Sequence, residues 1–429
     1  MELALIGFAI LLFLCFLGFP LGFTTLLVGF VGFAYTRDWN FHAALAMVEQ
    51  QVMETGANYG LSVIPLFILM GALIHRSNIS EDLYKAANAL VGALPGGLAH
   101  ATVLACAGFS AVSGSSLATA ATMTRVAMPH MRGYGYDDRL SSGVVAAGGT
   151  LGIMIPPSVP LVIYALVAEE DIGKLFIAAI LPGLMLVALF IAAVALTVAR
   201  KPELGRAGDR LGPAERWAAY LKVWPVIVLF VVILGGIYSG VFSPTEAAGI
   251  GATGAAIFAV ARGYLRSAKA LYLTLIETCR TTAMLFTVIF GAQVFANFIN
   301  LSGLPYQLVS LVEGWELGAV GLVIAICAVC ILMGMIFESI GILLLIIPVF
   351  LPSLIAMDID MIWFGIVMVV VIEMGLITPP IGMNVFTVRS VMPDLRIGAI
   401  FSGVTAFVIA DALALALLLV FPAIALALL

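Results

Sequence analysis

Long apolar runs alternate with short polar turns along the whole chain. The apolar segments lie at about 3–18, 21–35, 58–75, 98–128, 140–168, 175–199, 223–240, 245–261, 278–300, 318–351, 361–388 and 397–428. Most approach the ~20 residues that a helix needs to cross the hydrocarbon of a bilayer. Residues 42–57 and 264–276 are more polar and periodic, and they read as helices lying flat at the membrane interface. The one long polar loop, "RKPELGRAGDRLGPAERWAAYLK" at 200–222, is basic and divides the chain near its middle. No segment reads as a soluble domain.

Two segments are too long for one span and carry polar residues at their centres. Ser113-Gly114-Ser115-Ser116 interrupts the run at 98–128, and Phe337-Glu338-Ser339 interrupts the run at 318–351. A polar tip between two half-length apolar arms predicts a re-entrant hairpin rather than one tilted helix. Such a tip persists at membrane depth only when it is buried in protein or lines a cavity.

Composition supports the same picture. The chain has 429 residues, 63% hydrophobic and 10% charged, with a mean hydropathy of +1.18. A soluble protein of this size cannot hide that much apolar surface, so the predicted fold class is an all-α polytopic membrane protein. The net charge of −5 matters less than where the charges fall, and no nucleic-acid partner is expected. The five cysteines lie in apolar runs, and Cys327 and Cys330 form a lone CxxC with no second ligand pair, so neither redox chemistry nor metal binding is expected there. Residues 1–35 lack a basic leader and an A-x-A site, and they read as retained spans.

Adjacent prolines break two of the segments. Pro156-Pro157 lies within 140–168 and Pro379-Pro380 within 361–388. Each proline lacks an N–H and clashes with the carbonyl four residues earlier. The pairs should therefore free carbonyls around Gly152 and Ile153, and around Gly375 and Leu376. A shift of 223 residues superposes the two pairs, and it also aligns Gly152 with Gly375, Ser116 with Ser339, Pro129 with Pro352 and Asp137 with Asp360. The chain thus reads as a duplication: a first repeat at 1–199, a cytoplasmic basic linker at 200–222, and a second repeat at 223–429. Each repeat holds one hairpin and one broken helix.

Basic residues set the orientation. With the 200–222 loop in the cytoplasm and hairpins that return to their own side, only Arg37 and Lys174 among the lysines and arginines fall outside. The acidic turns at 168–171, 312–316 and 357–360 also fall outside, as do both termini. All five tryptophans (Trp39, Trp217, Trp224, Trp315 and Trp363) lie near segment ends. In this arrangement the first hairpin enters from the cytoplasm and the second from outside, so the repeats are inverted. Broken helices that meet near the midplane of an inverted-repeat transporter offer carbonyls to cations and helix N-termini to anions.

The stretches "SGSSLATAATM", "GYGYDD", "GGTLGIMIPPSVPLVIY" and "GLITPPIGMNVF" resemble the large membrane subunit of tripartite ATP-independent periplasmic (TRAP) transporters, and the likeness covers essentially the whole chain. The resemblance implies sodium-driven, elevator-type uptake of an organic acid anion of the C4-dicarboxylate or sugar-acid type, in a bacterial inner membrane. It also implies two partners, a small four-helix membrane subunit and a periplasmic solute-binding protein. Sodium ions are the coupling ions, and no other cofactor is expected. The longest polar loop is too short to enclose a solute, so capture is expected on another protein.

Ser113, Gly114, Ser115 and Ser116 at the first tip offer oxygens to sodium or substrate, or else merely cap the arms. Gly152 and Pro156 mark the first break, with Ser158 just after it as a substrate candidate. Glu338, Ser339 and Gly341 form the second tip. Gly375, Thr378, Pro379 and Asn384 surround the second break, where Thr378 and Asn384 carry oxygens suited to a hard cation; Asn384 and Ser116 are also substrate candidates. Glu338 and Glu373 are costly in a membrane unless paired or hydrated, which makes a functional role the default. Asp411 is similar but lies far from both motifs along the chain, and it stays outside the predicted site. Arg125 lies one turn before Pro129 and reads as a snorkelling side chain, with a substrate clamp as the open alternative. His42, His75, His100 and His130 fall near segment ends and read as interfacial.

Two rival readings remain. One is a self-sufficient elevator carrier that needs no binding protein. The other is an intramembrane enzyme, which the absence of HExxH, GxSxG or an apposed His/Asp pair disfavours. No P-loop is present, so the chain contains no ATP-driven motor.

Overall fold

The computed structural model describes every residue except 1, 266, 308, 309 and 311–317. The expected acidic turn at 312–316 and Trp315 therefore lie outside the described residues. Those residues form helices and turns, with no strand among them. Among the described residues, six helices are long and apolar enough to cross a membrane, and the bent pair Asp138–Met154 and Val159–Ala168 meets the same test when taken together.

Both predicted hairpins are present as paired helices. Gly97–Ser113 and Ser116–Gly133 flank the first tip, and Gly318–Gly334 and Ser339–Ala356 flank the second; in each pair the arms pack on one another. Gly114 turns the first tip with φ +60°, a left-handed conformation that costs glycine little. Ser115 then caps the return arm by accepting a hydrogen bond from the Ala118 N–H. Both proline pairs stop their helices. Asp138–Met154 bends by 41° into Val159–Ala168, and Met361–Ile377 gives way to Met383–Val391. Both Pro–Pro bonds are cis. Polar N-caps set where the spans begin, as with Asp137, Asp171, Ser243 and Asp360.

Three boundaries differ from the sequence reading. Residues 268–276 are not a separate interfacial helix but the first turns of the 34-residue helix Ala268–Leu301. The capping serine Ser267 starts a helix that the apolar pattern shows only from 278. The basic loop is helical from Pro213, and its remainder is tied down: Gly208 N–H donates to the Gly92 carbonyl and Tyr136 Oη to the Arg206 carbonyl. Ile79–Val91 is a further helix whose mixed sequence carries no apolar run.

Burial separates two kinds of apolar helix. The broken helices form the core: every residue from Leu140 to Met154 is buried, and so is Trp363 to Ile377. By contrast, Leu5, Ile6, Phe13 and Phe16 of the first helix, and Ile227, Val228 and Val231 of Pro213–Tyr238, are exposed. An exposed apolar face on a membrane helix is a lipid- or subunit-facing surface. The N-terminal helices pack on Ala268–Leu301, with Leu21–Thr36 forming the broadest contact. Ion pairs fasten helix ends: Arg132 reaches both Asp138 and Asp394 at 2.7 Å, joining the first hairpin to the second half.

Candidate translocation site

Each break seats the tip of the hairpin in its own half. A Cβ on Gly152 would stand 2.5 Å from the Ser115 carbonyl oxygen, so the first tip rests directly on the helix backbone before Pro156. Gly375 packs against Gly334 in the same way, where a Cβ would come within 2.7 Å of the Gly334 Cα. The Gly382 N–H donates to the Met335 carbonyl, tying the second break to the second tip.

The proline pairs leave fewer open carbonyls than their count suggests. Ser158 is fully buried, and its hydroxyl donates to the Ile153 carbonyl at 2.5 Å. It repairs its own break rather than facing a substrate. Thr378 does likewise: its N–H donates to the Gly375 carbonyl and its hydroxyl to the Met374 carbonyl at 2.6 Å. The carbonyls of Gly152 and Leu376 are left without a donor among the described residues. These two correspond to the missing N–H groups of Pro156 and Pro380.

The two tips open onto one cavity of about 950 Å³. Ser113 to Ser116 line one side and Ile336 to Ile340, with Glu338 and Ser339, the other; Ile153, Val159 and Pro160 come from the first break. Of the predicted site residues, the cavity brings together Ser113, Gly114, Ser115, Ser116, Arg125, Glu338 and Ser339. Gly341 sits just beyond it, where a Cβ would meet Leu21. Thr378, Pro379 and Asn384 belong to the second break and do not line it. Asn384 is buried with its Nδ2 donating to the Ala146 carbonyl, so it joins the second break to the first broken helix.

Arg125 and several residues outside the predicted site share the rest of the wall. Arg125 faces the cavity rather than the interface, because positions 118, 121, 122 and 125 share one helical face of the return arm. His75 faces it too, with Nδ1 3.1 Å from Thr122 Oγ1, and His100 is buried among protein side chains. Glu277, Thr278 and Thr281 enter from Ala268–Leu301. Nothing in their local sequence marks them, beyond a polar face on an otherwise apolar helix.

Glu373 is fully buried and does not line the cavity, and neither does Asp411. Asp411, on Ile397–Val420, is fully buried as well. All four of their carboxylate oxygens lack a hydrogen-bond partner among the described residues.

Comparison with known proteins places this architecture. A family model described as "Tripartite ATP-independent periplasmic transporter, DctM component" matches residues 8–424. The chain belongs to this TRAP transporter family. It is 38% identical over 377 residues to the C4-dicarboxylate TRAP transporter large permease protein DctM of Pseudomonas aeruginosa, covering 85% of this chain and 88% of that one. It is 31% identical over 411 residues to the sialic acid TRAP transporter large permease protein SiaM of Vibrio cholerae, covering 95% and 94%. The fold resembles the YdaH transporter of Alcanivorax borkumensis, with a TM-score of 0.67 at 16% identity over 90% of this chain and 89% of that one. The chain is thus a multi-pass TRAP permease subunit and not an enzyme.

Proposed function

We propose that this TRAP permease carries a small organic acid anion across the bacterial inner membrane, driven by sodium. The observation behind the proposal is the single cavity onto which both hairpin tips, the first break and Arg125 open. The open Gly152 and Leu376 carbonyls at the breaks, with the serine hydroxyls and the Glu338 carboxylate at the tips, are hard oxygen donors of the kind that sodium accepts, and Arg125 supplies the counter-charge for an anion. The matching hairpin and break in each half support inverted repeats moving as an elevator, with both termini periplasmic. Relatives named for C4-dicarboxylate and sialic acid support an organic acid cargo.

In this reading the anion arrives on a periplasmic binding protein, and a small four-helix subunit completes the membrane complex. The exposed acidic turn at Glu169–Asp171 and the turn at Asp358–Asp360 give that protein a charged surface on which to orient. Reconstitution tests the assignment. Proteoliposomes holding this chain with the small subunit and the loaded binding protein outside should show uptake that needs a sodium gradient, and the chain alone should show little. Strong sodium-driven uptake by the lone chain would instead favour a self-sufficient carrier.

A further inference from the structure

The charges on the cavity wall narrow the cargo. The acidic and basic side chains lining it are His75, Arg125, Glu277 and Glu338. Glu277 is already paired with Arg76 at 2.8 Å. Glu338 has no basic partner among the described residues. Arg125 is the only arginine or lysine among the lining residues, and it forms no ion pair among the described residues. The cavity therefore offers one open cation.

His75 stands across from it. Its Nδ1 is held by Thr122 Oγ1, so the ring is fixed and Nε2 has no protein partner among the described residues. Much of the remaining wall is hydrocarbon, from Phe23, Ile68, Phe109, Met284, Leu285 and Ile340.

We infer that the transported anion is a monocarboxylate with an apolar body. Its carboxylate rests on Arg125, a neighbouring oxygen meets His75, and its hydrocarbon lies against Ile68, Phe109 and Leu285. The inference rests on the translocation reading above and specifies its cargo. A second carboxylate would find no second cation and would face Glu277 and Glu338 instead. Sodium at Glu338 offsets that glutamate but adds no partner for another carboxylate. An unpaired charge in a site of low dielectric is costly, and although serine and threonine hydroxyls line part of the wall, a polyol would lose water against the hydrocarbon that makes up most of it.

The test uses the membrane complex of this chain with its small subunit, purified in detergent, so that selection by the binding protein does not enter. Binding of α-ketoisocaproate, succinate and gluconate is measured calorimetrically with and without sodium. We expect sodium-dependent binding of α-ketoisocaproate at least tenfold tighter than that of either other anion. Arg125→Gln should weaken it by on the order of tenfold or more, the usual cost of losing a charge-assisted hydrogen bond. Arg125→Lys should retain most of it, and sodium should still raise the melting temperature of both variants. Sodium-dependent binding of succinate or gluconate as tight as that of α-ketoisocaproate would overturn the monocarboxylate assignment while leaving the translocation reading intact. Unchanged α-ketoisocaproate binding in Arg125→Gln would also overturn it. Binding of none of the three would overturn the monocarboxylate assignment, while the translocation reading stands or falls on the reconstitution above.

Discussion

Ser158 shows how one side chain redirects the consequence of a proline. The pair Pro156-Pro157 removes two donors from the helix, yet Ser158 returns one of them to the Ile153 carbonyl. Ser158→Ala should therefore destabilise the protein by on the order of 1–3 kcal/mol, the cost of leaving a buried acceptor unpaired. Sodium affinity should stay unchanged in the folded fraction. Thermal melts alongside sodium-dependent uptake check this, and a fall in sodium affinity without a change in melting would make Ser158 a ligand. The serine was visible in the sequence as an oxygen beside a break, but which carbonyl it faces depends on how the helix bends. Arg125 was a candidate whose two readings the sequence left open. Distance from Pro129 says how deep a residue sits, whereas which face of the return arm lines the cavity is fixed only when the other helices pack around it.

Helical elements were more legible, because their punctuation is local. A serine- and glycine-rich tetrapeptide between apolar arms marks a tip, and adjacent prolines mark a break, whatever packs around them. Boundaries failed where an element is not apolar throughout, as at Ile79–Val91 and at the start of Ala268–Leu301. The seating of a tip on a break is a property of the pair. Gly152→Ala places a methyl 2.5 Å from the Ser115 carbonyl oxygen, and backbone on both sides leaves little room to yield. We expect the variant to insert normally while its uptake falls severalfold. Uptake equal to that of the native protein, at equal membrane abundance, would show that the first tip does not need this seat.

At the scale of the whole molecule, two halves with matching parts enclose one cavity, and burial places the broken helices at the centre. Arg132 adds a polar clasp between the halves through Asp138 and Asp394. The proposed duplication and its inversion rest on the register of the proline pairs and on the asymmetry of basic residues. Both are sequence signals that a fold without a bilayer cannot orient. Single cysteines replacing Arg206 and Asp358, in a background without the native five, should label from opposite sides of the membrane. Labelling from the same side would remove the inverted-repeat arrangement.

The account depends most on the two carbonyls that the prolines leave open. Pro156 and Pro380 lack the N–H groups that would bind Gly152 and Leu376, whereas the carbonyls opposite Pro157 and Pro379 already accept from Ser158 and Thr378. The decisive measurement is the sodium dependence of uptake by the reconstituted complex, at a clamped membrane potential, for four single variants. Pro156→Ala and Pro380→Ala restore donors to the open carbonyls and should raise the sodium concentration for half-maximal uptake on the order of tenfold. Pro157→Ala and Pro379→Ala should shift it far less. Equal sodium dependence in all four, with each protein inserted and folded, would contradict the claim that the breaks hold the coupling ion.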